Sequence, residues 1–160
     1  MGSRTVGRSN LRSAGAGPVT ARRGETMNVL INIDVDDLSK AIRFYSTAFS
    51  LEVGRRFGDG GVELIGSSAP IYLLVKEAGT PSSSMAFDTR RYDRHWTPVH
   101  LDWVVDDIES AVKRAVEAGA RIENAISTQK WGRLALMADP FGHGFCFIQF
   151  LGAGYDEIAS

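Results

Sequence analysis

The sequence predicts an α+β fold made of two tandem βαβββ modules. Three observations carry that reading. A β-branched run followed by Asp-Asp and an apolar stripe of helical period occurs twice. The two copies lie about 70 residues apart, with Asp37 matching Asp107, Leu38 matching Ile108 and Ala41 matching Ala111. Each stripe is followed by short strand-like runs separated by turn residues.

In the first copy, Val29–Val35 reads as a strand. Asp36 and Asp37 are good helix caps. Leu38, Ala41, Ile42, Tyr45, Ala48 and Phe49 form one helical stripe, which closes before Gly54. Strands are expected near Glu52–Phe57, Val62–Gly66 and Ile71–Val75, with turns at Gly58–Gly61 and Ser67–Pro70. The second copy opens with a strand over Val99–Val105. Asp106 and Glu109 then make a capping-box-like pair. Ile108, Ala111, Val112, Ala115 and Val116 form the stripe, ended by Gly119. A strand near Arg121–Asn124 follows, and Leu134–Ala138 and Phe145–Phe150 flank the turn Asp139–Gly144 as a long-loop hairpin.

Length and composition fit this plan. The chain has 160 residues, 44% hydrophobic and 23% charged, which suits two small modules sharing a core. No apolar run reaches about 18 residues, so no membrane-spanning helix is expected. A net charge of −1 without a basic stripe gives no reason to expect a nucleic-acid partner. The single cysteine, Cys146, excludes an intramolecular disulfide framework, and a reducing compartment such as the cytoplasm fits. Residues 1–26 hold five arginines, one glutamate and few large apolar groups, while the remainder carries 13 basic against 18 acidic residues. The segment is Arg-rich like a transit peptide but lacks an amphipathic face, so a disordered extension upstream of a natural start at Met27 is expected. The organisation is then an extension over 1–26, a first module over 27–75, a linker over 76–98, a second module over 99–151 and a tail over 152–160.

Three phrases resemble the vicinal oxygen chelate superfamily. They are Ile33-Asp34-Val35-Asp36-Asp37-Leu38 with Phe44-Tyr45, His100-Leu101-Asp102-Trp103-Val104-Val105-Asp106-Asp107, and Ala138-Asp139-Pro140-Phe141-Gly142-His143. That superfamily includes glyoxalases, extradiol dioxygenases, epimerases, fosfomycin-modifying transferases and bleomycin-sequestering proteins. The resemblance implies curved mixed sheets around an open cup, helices outside, a homodimer, and a divalent metal (Fe, Mn, Ni or Zn) held from the first and last strands of a module. The first-strand ligand position falls on Leu30 in copy one and His100 in copy two. The last-strand position, four residues after Gly142, falls on Cys146 where the family uses Glu. Its counterpart in copy one lies near Leu73 or Leu74. His100 and Cys146 are therefore the candidate metal ligands, an incomplete set beside the three protein ligands a catalytic metal normally needs.

Alternation along a strand puts Leu30, Asn32 and Asp34 on one face, and His100, Asp102 and Val104 on the matching face. Asn32, Asp34 and Asp102 are thus candidate substrate-binding residues, and Asp34 and Asp102 candidate additions to the metal set. His100 is the candidate catalytic residue. It serves as a metal ligand, as a general base, or as a structural partner of Asp102. Cys146 has the alternative of a small buried apolar residue, and His143 that of a turn residue. Glu63 faces the cup in one of the two possible registers. Arg91, Tyr92 and Trp96 in the linker, and Trp131 beyond it, offer a guanidinium fork and aromatic faces to a ligand, or serve as anchors of a connector. Trp103 and Phe44 are expected in the core.

Two functions stay open. One is a metal-dependent lyase or dioxygenase acting on adjacent oxygens. The other is metal-free binding of a drug or metabolite in an apolar cup.

Overall fold

The computed structural model describes residues 28–95 and 97–160. The extension expected over residues 1–26 and the candidate Trp96 lie outside the described residues.

The first repeat comprises β1 (Ile31–Val35), α1 (Leu38–Phe49), β2 (Glu52–Arg56), β3 (Gly61–Ile65) and β4 (Ile71–Val75). The second comprises β5 (Leu101–Val104), α2 (Ile108–Glu117), β6 (Arg121–Ile122), β7 (Ser127–Gln129), β8 (Gly132–Ala138) and β9 (Gly144–Phe150). The α+β architecture expected from the repeat is the one observed. The second repeat carries one strand more than expected. The short polar run Ser127-Thr128-Gln129 gave no apolar alternation to read, yet it pairs with β8 as β7.

Both helices start at the second aspartate of their Asp-Asp pair. Asp37 Oδ1 accepts from the Lys40 N–H at 2.8 Å, and Asp107 Oδ1 from the Ser110 N–H at 3.0 Å. Both caps have extended backbone, φ −133° and −137°. The expected pairing of Asp106 with Glu109 is corrected accordingly: Asp107 is the cap, and the Glu109 carboxylate takes the Arg133 guanidinium at 2.5 and 2.8 Å. The stripes do bury. Ala41, Phe44, Tyr45 and Ala48 face inward on α1, as do Ile108, Ala111, Val112 and Ala115 on α2.

Each repeat forms a mixed sheet in which the first and last strands run parallel and the others antiparallel. The orders are β1-β4-β3-β2 and β5-β9-β8-β6, with β7 on β8. The sheets do not close into a barrel, and β1 and β5 each form an edge. The helices pack on each other and each on its own sheet. Register then decides the faces. Ile31 and Ile33 partner Ile71 and Leu73 toward the helices, while Asn32 partners Tyr72 on the open face. In the second sheet Leu101 and Trp103 partner Phe145 and Phe147 toward the helices, and Asp102 partners Cys146 on the open face.

One hydrophobic core serves both repeats. Its centre is aromatic. Phe49, at the end of α1, stacks on Trp103 of β5 with centroids 4.0 Å apart, and meets Phe145 edge-on at 5.2 Å. Such pairs add about 1 kcal/mol each beyond the area they bury. α1 therefore joins the two sheets as well as covering its own. Between the repeats, part of the connecting segment folds into a small hairpin: Gly79 N–H donates to Arg90 C=O, Arg90 N–H to Thr80 C=O, and Pro81 bridges Thr89. Past β9 the tail makes a 3-10 turn over Gly154–Glu157.

Candidate functional site

A cleft of about 570 Å³ runs between the β1 and β5 edges. Asn32 and Asp34 line it from β1, and His100, Leu101 and Trp103 from the β5 side. Phe49, Tyr45 and Phe145 form its floor. The connector supplies the rim through Ser82, Arg90, His95, Thr97 and Val99, and the β8–β9 turn closes one end with Asp139 and His143. All three histidines of the chain thus meet one cavity.

The β8–β9 turn is built around Asp139, whose residue is 2% exposed. Its carboxylate accepts from the Tyr45 hydroxyl at 2.6 Å and from the N–H groups of Phe141 and His143 at 2.8 Å each. Burial, then the Asp139 charge and hydrogen bond, hold the Tyr45 hydroxyl well above the ordinary tyrosine pKa. Gly142 has φ +86°, and a Cβ there would run into the Asp93 carbonyl, so only glycine lets the connector lie against this turn. His143 points its Nε2 at the Asp34 carbonyl, 2.9 Å away, and its ring meets His95 edge-on at 5.6 Å. The sequence places His143 in a turn. It is in the turn, and that turn delivers it to the cleft.

The residues singled out in sequence separate into two sets. Asn32, Asp34 and His100 line the cleft. On the open face beside it, His100 Nε2 stands 3.1 Å from Asp102 Oδ1. The donor atoms of His100, Asp102 and Cys146 all lie within 4.8 Å of one another. Asp34 is not in that group, contrary to the wider metal set considered above. Its carboxylate holds Arg90 Nε at 2.6 Å. Cys146 is 4% exposed, and burial, then Asp102, push its thiol pKa up to about 12.

Arg91, Tyr92 and Trp131 do not line the cleft. Arg91 pairs with Asp88 and Asp93 at the surface. Tyr92 donates its hydroxyl to the Lys76 carbonyl at 2.6 Å and packs on Phe141 and His143. Trp131 packs on Phe150 and Tyr155, where it anchors the tail. Arg90, one residue away from the arginine expected, is the cation at the cleft. An irregular connector has no period from which to read which of two adjacent side chains turns inward.

The copy-one counterpart of Cys146 is now defined. Asn32 and Asp102 are repeat equivalents, and they partner Tyr72 and Cys146 respectively, so Tyr72 holds the position expected near Leu73 or Leu74. Leu73 is fully buried on the opposite face. Leu30 and Tyr72 leave copy one without a metal-binding pair, and the donors gather in copy two. Imidazole nitrogen, carboxylate oxygen and thiol sulfur in one group suit a borderline-soft ion such as zinc, and three protein ligands leave a coordination position open.

A family of glyoxalase-like domains matches residues 30–148. The chain belongs to that family. The match covers both repeats, and the glyoxalase-like domain carries the vicinal oxygen chelate architecture that the sequence resembled. The chain is 32% identical to the uncharacterized protein Rv0887c of Mycobacterium tuberculosis over 132 residues, 76% of this chain and 77% of that protein. Two of the solved structures that share the fold of this glyoxalase-like chain serve as examples. One is a glyoxalase/bleomycin resistance protein/dioxygenase family enzyme from Burkholderia phytofirmans PsJN, at 17% identity and TM-score 0.59, covering 76% of this chain and 97% of that one. The other is a lactoylglutathione lyase from Agrobacterium tumefaciens, at 14% identity and TM-score 0.55, covering 79% and 95%.

Proposed function

We propose that this glyoxalase-like chain binds a small organic molecule in the cleft between β1 and β5, with His100 as the group that exchanges a proton with it or orients it. The observation that carries this reading is the cleft itself. It has an aromatic floor for an apolar body, and a few converging polar groups at one end. Saturation-transfer NMR against a set of small aromatic and dicarbonyl compounds tests it. Ligands are expected whose binding drops at least tenfold in both His100→Ala and Trp103→Ala. Binding indifferent to both substitutions sinks the reading.

A second reading, metal-dependent chemistry, is favoured by the His100–Asp102–Cys146 group. An ion there would supply Lewis acidity toward an oxygen of the ligand. Asp102 already orients His100, and Cys146 would give up its proton on binding, so uptake of the ion strengthens as pH rises. Elemental mass spectrometry on protein purified without chelators checks this. About one zinc per chain, lost in His100→Ala and Cys146→Ser, supports the metal reading. No retention after incubation with Fe, Mn, Ni or Zn leaves the metal-free binding protein.

The chain works as a homodimer in this proposal. β1 and β5 are both sheet edges, and Val29, Leu30, Val99 and Val104 beside them are 57–78% exposed. Unpaired edges flanked by apolar side chains favour pairing with a second copy.

A further inference from the structure

The open face of the first sheet carries an ion pair that neither the core nor the cleft accounts for. Glu63 sits in β3 with its side chain only 10% exposed. Its carboxylate accepts four hydrogen bonds. They come from the Arg55 backbone N–H at 3.2 Å, Arg55 Nε at 2.9 Å, Arg55 Nη2 at 2.6 Å and the Tyr72 hydroxyl at 3.0 Å. Arg55 Nη2 also donates to the Tyr72 oxygen at 3.0 Å. The Arg55 side-chain hydrogen bonds, then its backbone N–H, with smaller help from the Tyr72 hydroxyl and the Arg55 charge, outweigh burial and hold Glu63 ionised, with its pKa lowered to about 2.

Arg55 itself is 69% exposed. Exposed ion pairs contribute little to stability, and an arginine in water ordinarily keeps its rotamer freedom. Here one edge of the guanidinium is clamped. The clamp is packed in place as well, since a Cβ at Gly54 would fall 2.8 Å from Glu63 Oε2. Among the described residues Nη1 has no acceptor, so its two N–H bonds face outward from a fixed frame. Outward donors held rigid in advance are what a carboxylate ligand needs, because the ordering cost is met before binding. The surroundings add aromatic surface. Phe57 is 47% exposed, and its ring lies 5.9 Å from that of Tyr72 at 33°. Asn32, the register partner of Tyr72, also lines the cleft, so the patch lies one strand away from it.

We propose that Arg55, fixed by Glu63 and Tyr72, is a carboxylate-recognising residue on the open face of the first sheet, beside the cleft, and that its ligand is a planar aromatic acid whose ring lies against Phe57 and Tyr72. The proposal rests on the cup being the ligand site and names the class of ligand. Glu63 and Tyr72 act as positioning residues.

Isothermal titration with 2-naphthoate and its neutral isostere 2-naphthamide tests it on the full chain. The acid is expected to bind at least tenfold more tightly than the amide, and Arg55→Gln to abolish the difference. Glu63→Gln keeps the arginine charge but releases the clamp. It is expected to weaken the acid several-fold and leave the amide unchanged. Thermal melts of each variant confirm that it is folded. If both probes bind alike, or the preference for the acid survives Arg55→Gln, the acid assignment falls while the cup remains a binding site. If neither probe binds at millimolar concentration, the assignment to aromatic acids falls, and the cup is judged by the His100 and Trp103 variants. If Arg55→Gln changes the oligomeric state and not naphthoate binding, the pair is a subunit contact and the proposal is overturned.

Discussion

Asp139 shows how much one buried side chain can organise. It meets three donors at once, two from its own turn and one from α1. Removing it strands all three, at about 1 kcal/mol or more each. Asp139→Ala is therefore expected to cost about 3 kcal/mol in urea denaturation, and Tyr45→Phe only about 1, since that change removes a donor and leaves the other two bonds intact. Cys146 makes a different residue-level prediction. With its thiol pushed up to about 12, thiolate is scarce near neutrality. Iodoacetamide at pH 8 should leave native protein unmodified and label it once unfolded in urea, as read by intact-mass spectrometry. Fast labelling of the native chain contradicts the burial of this thiol.

At the scale of elements, the helices were legible because caps and stripes are local. Asp37 caps as its position suggests, Asp107 caps in place of the expected Asp106, and Asp107→Ala should cost about 1 kcal/mol. Burial and charge did not disclose register in the same way. The one-residue difference between Tyr72 and Leu73 exchanges a half-buried side chain on the open face for one in the core, and all-apolar β4 looks alike in either register. Glu63 gives this register a pH signature. Its folded pKa of about 2 lies below the ordinary 4.5, so the stability it adds is present above pH 4.5 and is lost as pH falls toward 2. Wild type should exceed Glu63→Gln in denaturation free energy at pH 6, and the gap should close by pH 2. A constant gap across that range removes the ionised Glu63 from the account.

For the whole molecule, the decisive feature is that one aromatic core joins the repeats. Phe49 belongs to the first repeat yet stacks on Trp103 of the second. Phe49→Ala should destabilise by about 3 kcal/mol and unfold both repeats in one transition, because the deleted ring is shared. Two separate transitions would make the repeats independent units. The open edges of β1 and β5 belong to this scale too. Sedimentation equilibrium at micromolar concentration should show a dimer, and Val104→Lys, which places a charge beside the β5 edge, should shift it toward monomer.

Local chemistry settled the two repeats, their helices, and the shared open face of Asn32, Asp34, His100 and Asp102. Period, caps and strand alternation act over a few residues, and they survive in a chain with no neighbours. Packing between distant segments settled the rest. It chose Arg90 over Arg91 for Asp34, brought His143 and His95 to the cleft with His100, excluded Asp34 from the group around Cys146, and fastened Arg55 to Glu63 and Tyr72. Those contacts join residues up to 109 positions apart, through turns and a connector whose backbone repeats nothing. Their partners are selected by which groups meet when the two sheets close on a common core, and that selection has no signature in any short stretch of sequence.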